Sequence, residues 1–314
     1  MLAPPSVAPF SLPMPTTLLP RRLAVMLLLA LGCAFAGNHI AARIAFDDGT
    51  GVLLAVLCRS GATALVLGVI IVWQGHAIRL GRYAWGWQIL LGLLIAGQSL
   101  CLYSAVARIP VALALLVANL FPILLALLTW GLGGPRPSLR QGLLMLLILV
   151  GLVCALDVPG QLAGSGPVST TWKNGVLLAL CGALLFASAL WVSDHKLQDM
   201  RGSVRSLLSM SVVFSSAALI GATDLMPSAL GLPQHLHGWL ALGVLALLYG
   251  TGFSILFVTM PRLDMQRNAP VMNIEPVATL VLGWLILGQT LNALQMLGGA
   301  IVLSGILLLS YRHR

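Results

Sequence analysis

The sequence predicts an all-α integral membrane protein, with ten transmembrane helices arranged as two inverted five-helix repeats. Three observations carry this expectation. The first is composition: of 314 residues, 59% are hydrophobic and only 8% are charged. Soluble domains carry about 25% charged residues, and apolar runs of about 20 residues suit spanning helices rather than barrel strands.

The second observation is an internal duplication. Ala118-Asn119-Leu120-Phe121-Pro122-Ile123 aligns with Met272-Asn273-Ile274-Glu275-Pro276-Val277 at an offset of 154. Carried without gaps, the offset pairs Arg108 with Arg262, Trp130 with Trp284, Gly134 with Gly288, Gln141 with Gln295 and Gly151 with Gly305. It gives 11 identities over the 50 pairs from Arg108 to Asp157. Apolar composition alone yields Leu and Val matches, not Arg, Asn, Pro, Trp and Gln together.

The third observation is the placement of basic residues. With the N-terminus inside, 13 of them fall in inner loops and termini, including Arg21, Arg22, Arg79, Arg136, Lys196 and Arg262. Only 3, namely Arg43, Arg108 and Lys173, fall outside, and Arg59 lies within a span. This asymmetry puts both termini in the cytoplasm. Five spans per half is an odd number, so the second half enters the membrane in the opposite orientation.

Taken in order, residues 1–20 carry no charge and six prolines, which reads as a disordered tail. Ala34-Phe35-Ala36 resembles a signal-peptidase site, but cleavage there would remove half of a helix that the duplication needs. The first repeat occupies 21–157, with spans near 22–45, 51–73, 85–107, 110–132 and 139–157. A linker over 158–172, rich in Gly, Pro, Ser and Thr, separates it from the second repeat, 173–314. There the spans fall near 174–194, 203–223, 239–260, 269–288 and 293–311. Small-xxx-small spacing in the first (Gly32, Ala36), sixth (Ala179, Ala183, Ala187) and tenth (Ala300, Ser304) predicts close helix packing, within one chain first and in a homodimer as the alternative.

Several function classes drop out. The net charge of +9 sits on loops and helix ends, so no nucleic-acid partner is expected. The five cysteines, Cys33, Cys58, Cys101, Cys154 and Cys181, lie in predicted spans without metal-ligand spacing and read as packing thiols. No cofactor, metal site or catalytic motif is expected: there is no Gly-x-Ser-x-Gly, His-Glu-x-x-His or phosphate-cradling loop.

Two sets of matching residues carry a family resemblance. Gly97, Tyr103, Pro122, Gln141 and Gly151 in one half stand against Gly250, Phe257, Pro276, Gln295 and Gly305 in the other. Over residues 22–311 this resembles the EamA family of the drug/metabolite transporter superfamily. The pattern departs where Pro135 follows Gly134 and Gln289 follows Gly288, since the family commonly has glutamate there. The resemblance implies a secondary transporter of small metabolites or drugs, chiefly an exporter, working by alternating access in the cell membrane, a bacterial inner membrane. A non-transporting receptor or assembly protein, or an intramembrane enzyme, is the competing class.

Candidate pathway residues follow from what is costly inside a bilayer. Glu275 is the only glutamate and lies in an apolar run. It reads either as a proton or cationic-substrate site, or as a neutral or paired carboxyl serving a kinked backbone. Pro276 and Pro122 predict kinks, because neither can donate to the carbonyl four residues before. Asn273 and Asn119 read as kink stabilisers. Arg59 reads as an anchor for a substrate carboxylate or as a partner for backbone carbonyls. At ~1.5 Å per residue it lies ~8 Å in depth from Glu275. Tyr249 and Gln98 fall nearer the midplane, lining a cavity or bonding between helices. Asn38 and His39 lie towards the outer end of the first span, as an outer gate or as ordinary hydrogen-bonded groups. A small molecule, the lipid bilayer and protons as coupling ion are the partners this pattern implies.

Overall fold

The computed structural model describes residues 18–75, 81–157, 169–198, 200–223, 230–259, 262–263, 271–272 and 274–310. The 1–17 part of the tail, most of the linker and Asn273 lie outside these. Among the described residues the apolar runs form helices α1 (Arg21–Asp47), α2 (Val52–Trp73), α3 (Arg82–Val106), α4 (Val111–Ala118), α5 (Phe121–Gly131) and α6 (Leu139–Ala155). The second half forms α7 (Thr170–Lys196), α8 (Gly202–Gly221), α9 (Leu236–Thr259), α10 (Ile274–Leu287) and α11 (Ala293–Ser310).

Seven helical stretches, one of them running through α4 and α5, are long and apolar enough to cross a membrane. Those around α6, α10 and α11 are apolar but shorter. Large side chains such as Leu65, Val69, Leu219 and Leu240 are more than 60% exposed on the outer faces. Exposure of that kind fits hydrocarbon, not water, as the surrounding solvent.

Two elements differ from the sequence expectation. The sixth helix starts at Thr170, inside the expected linker, because Trp172 packs against the core around Ile109 and Val106. The fourth span is broken, not merely bent: α4 ends at Ala118 and α5 resumes at Phe121 with Pro122 in its first turn. In the ninth span the described helix runs Ile274–Leu287 and carries Pro276, and Asn273 lies outside the described residues.

The packing follows the duplication. Counting α4–α5 as one, the first helix of each half packs on the third and fourth of the other: α1 on α9 and α10, α7 on α3 and α4–α5. The second packs on the second and third of the other: α2 on α8 and α9, α8 on α3. Fourth meets fourth (α4, α10) and fifth meets fifth (α6, α11). Each contact between halves has its exchange partner, as repeats related by a two-fold axis require. The α6–α11 contact is very close: a Cβ on Gly298 would collide with the Ala155 and Gly151 backbone.

The duplicated glutamines have a local explanation. Gln141 and Ser138 exchange hydrogen bonds at the start of α6, the Ser138 N–H donating to Gln141 Oε1 at 2.7 Å. Asn292 and Gln295 do the same before α11, at 2.8 and 3.0 Å. Both are capping boxes, so the repeated glutamine satisfies helix N-termini in both halves.

One end of the bundle is fastened across the halves. The Gly51 N–H donates to the Gly231 carbonyl at 2.8 Å, and the Gln234 and His235 N–H groups donate to Asp48 Oδ2 at 3.0 and 2.9 Å. At the same end the Val111 N–H donates to Gln289 Oε1 at 3.2 Å, and Asn292 Nδ2 to Asp157 Oδ2 at 2.8 Å.

Candidate functional site

A polar cluster lies where α1, α2, α3, α9 and α10 meet. Its centre is Arg59 of α2, 4% exposed. The guanidinium lies between two rings, 4.4 Å from the Tyr103 centroid on α3 and 4.3 Å from the Tyr249 centroid on α9. Its Nη2 donates to Ser99 Oγ, and that hydroxyl donates onward to the Ile95 carbonyl at 2.7 Å. Among the described residues no carboxylate lies within ion-pair distance of Arg59. A desolvated cation–π contact is worth about 2 kcal/mol, whereas removing a charge from water costs several kcal/mol per ion. Two rings and one hydroxyl are the partners that hold this cation among the described residues.

Tyr103 extends the cluster. It is fully buried, and its hydroxyl donates to Asn38 Oδ1 at 2.9 Å. Asn38 Nδ2 is buried with no hydrogen-bond partner among the described residues. The adjacent residue on α1 is His39, 6% exposed, with its ring edge-on to Tyr103 at 6.0 Å between centroids. His39 Nε2 lies 3.4 Å from Glu275 Oε1, and Nδ1 is buried with no hydrogen-bond partner among the described residues. The 3.4 Å separation exceeds that of a charge-assisted hydrogen bond, so the contact is an ion pair or a neutral contact, depending on protonation. Each orphaned buried polar atom costs about 1–3 kcal/mol, and two of them, Asn38 Nδ2 and His39 Nδ1, fall in this cluster.

Local structure places Glu275. It stands in the first turn of α10, where an anion is favoured by the helix dipole. Its own carbonyl accepts from Thr279 Oγ1 at 2.8 Å. Gly32 of α1 lets this turn approach, since a Cβ there would overlap Ile274. The glutamate side chain is 26% exposed against 7% for His39, so the carboxylate is the open side of the pair.

The structure thus brings together five residues singled out from sequence: Asn38, His39, Arg59, Tyr249 and Glu275. It does not pair Glu275 with Arg59, as their depths suggested, because His39 occupies the position beside the carboxylate. Gln98 stands at the margin, its Oε1 3.4 Å from Ser99 Oγ. Asn119 is separate: its Nδ2 donates to the Leu115 carbonyl at 2.8 Å and closes the end of α4. Asn273 lies outside the described residues. An apolar cleft of about 170 Å³ between α4, α10 and α11 is lined by Leu113, Leu116, Pro276, Val277, Leu280 and Met296, among others. Sequence reasoning missed Tyr103 and Ser99 as site members. Their spacing of four on α3, facing the same side, was the available signal.

Comparison with known proteins agrees with this architecture. The sequence matches the EamA-like transporter family twice, over residues 22–156 and 173–311. A protein of Sinorhizobium sp, described as "Uncharacterized transporter in cobO 3'region", is 28% identical over 144 residues, 46% of this chain and 99% of that protein. A solved crystal structure, described only as that of a protein, shares the fold with a TM-score of 0.62 at 20% identity, covering 94% of this chain and 100% of its own.

Proposed function

The chain belongs to the EamA-like transporter family, and from that premise we propose that it exports a small metabolite or drug across the cytoplasmic membrane by proton-coupled alternating access. The single observation that carries the coupling is the His39–Glu275 contact at 3.4 Å, one residue along α1 from the Asn38–Tyr103–Arg59 chain. A carboxylate in hydrocarbon is costly as an anion, and protonation removes most of that cost. Glu275 is the proton carrier in this reading, and His39 stabilises its charged form. Arg59, short of a counter-anion, receives an acidic group of the substrate, while Tyr103 and Tyr249 hold the guanidinium flat.

The test is flux in proteoliposomes, with and without a pH gradient, in wild type and Glu275→Gln. Gln keeps the shape of the neutral carboxyl. The variant should fold and insert, lose gradient-driven transport and retain substrate exchange. Unchanged gradient-driven flux would remove Glu275 from the mechanism and leave it as a packing residue. Product formation without net flux would identify an enzyme, and binding without flux a receptor.

The proposed ten-span topology places both termini in the cytoplasm, supported by the 13-to-3 distribution of basic residues. A reporter active only outside the cytoplasm should be silent at Arg314 and active within residues 158–172. The reverse at either site would overturn the topology.

A further inference from the structure

At the fastened end of the bundle, Asp48 follows α1, and His235 and His237 stand at the start of α9. Asp48 Oδ1 lies 2.6 Å from His235 Nδ1 and 3.2 Å from His237 Nε2. The two imidazoles stack, with centroids 5.4 Å apart and planes 14° from parallel. One donor atom from each residue falls within 4.8 Å of the others. None of the three belongs to the Arg59–Glu275 cluster.

We propose that Asp48, His235 and His237 form a binding site for a divalent transition-metal ion of the zinc, cobalt or nickel type. The donor set is two imidazole nitrogens and one carboxylate oxygen, which suits these ions rather than magnesium or calcium, whose ligands are oxygens. The carboxylate is prepared for the task. Its side chain is 3% exposed, and Oδ2 already accepts the Gln234 and His235 N–H groups, which fixes its plane and aims Oδ1 at both rings. Hydrogen bonds to the second oxygen of a ligating carboxylate are the usual support of a metal ligand. Gly238 makes room: a Cβ there would strike the Asp48 carboxylate.

The rings are the adjustable part. His235 and His237 are 66% and 65% exposed, so each can turn outward by the fraction of an ångström that replaces a hydrogen bond with a bond of ~2.1 Å to an ion. Two neutral imidazoles and one carboxylate carry a single negative charge, which a divalent ion more than neutralises. Water completes the coordination on the open side. Since Asp48 comes from the first half and both histidines from the second, a bound ion ties the two repeats together.

The experiment is calorimetric titration of untagged, metal-stripped protein with Zn²⁺, and with Mg²⁺ as control, alongside thermal unfolding. The proposal expects one Zn²⁺ per chain and a higher unfolding temperature with Zn²⁺ than with Mg²⁺. His237→Ala and His235→Ala should each weaken Zn²⁺ binding by more than about tenfold, while His195→Ala, on exposed α7 surface, should leave it unchanged. Asp48 is not varied, because it also holds the α9 backbone. Absence of saturable one-to-one binding, a loss below tenfold in both histidine variants, or an equal response to Mg²⁺ would overturn the proposal.

Discussion

The two halves of this protein share a scaffold but not a chemistry. At the offset that aligns them, Glu275 in the second half corresponds to Phe121 in the first, and Tyr103 in the first corresponds to Phe257 in the second. Helix α2 carries buried Arg59, whereas its counterpart α8 has no charged residue from Leu207 to Gly221. Glu275 meets a histidine; Phe121 meets the Phe186 ring edge-on, at 4.9 Å between centroids. The helix contacts obey the exchange of halves throughout, while the polar groups obey it nowhere near the site. Packing requires only matching shape and small residues at the crossings, so duplication preserves it at little cost. A second buried charge set would add its desolvation cost again, and one-sided chemistry avoids that. The comparison therefore predicts one titrating site per chain.

Three substitutions sharpen or break this reading. The largest effect is expected for Arg59→Met, which removes the cation and leaves two tyrosines facing an aliphatic chain. Flux should fall about 100-fold, the equivalent of about 3 kcal/mol for a hydrogen bond to a charged substrate group. Arg59→Lys should fall between that and wild type, since an ammonium keeps the charge but not the planar stack. Flux at matched insertion levels measures both. A smaller loss is expected for His39→Gln. Gradient-driven flux should drop about tenfold, the equivalent of one hydrogen bond to a charged group, with substrate binding by Tyr-fluorescence titration little altered. The smallest effect is expected on the apolar side. Phe121→Leu should leave flux within about twofold and cost roughly 1 kcal/mol of stability through the lost ring pair. Should Phe121→Leu instead impair flux as severely as Glu275→Gln, the halves would share the work and the one-sided reading would fall.

Much of the site was legible because a bilayer makes polar residues conspicuous. Glu275, Arg59, Asn38, His39 and Tyr249 each stand out as polar groups in apolar runs. Their partners were not legible. Asn38 and Tyr103 are 65 positions apart, and only packing of α1 on α3 brings them together. Depth along a helix put Arg59 within ~8 Å of Glu275, a gap a long side chain could partly bridge, but depth says nothing about direction around the bundle. In that direction α1 presents His39 to α10. Tyr103 was hidden because an aromatic in an apolar helix is most often packing. The duplicated glutamines were visible as repeats, yet their role as caps needed the geometry of Ser138 and Asn292.

The hydrogen bonds that join Gly51 to Gly231, Asp48 to Gln234 and His235, and Val111 to Gln289 have a bearing on leakage. They lie at one end of the bundle, and parting the halves there breaks them as a group. At about 1 kcal/mol net each, four such bonds bias the closed arrangement over the open one by roughly a thousandfold. Under the proposed proton-coupled mechanism, an idle carrier so biased keeps that face sealed and limits leakage of the proton gradient. Passage through that face then waits for a cargo whose own binding offsets the bias, so the threshold for admitting solute is set some distance from where the solute is recognised.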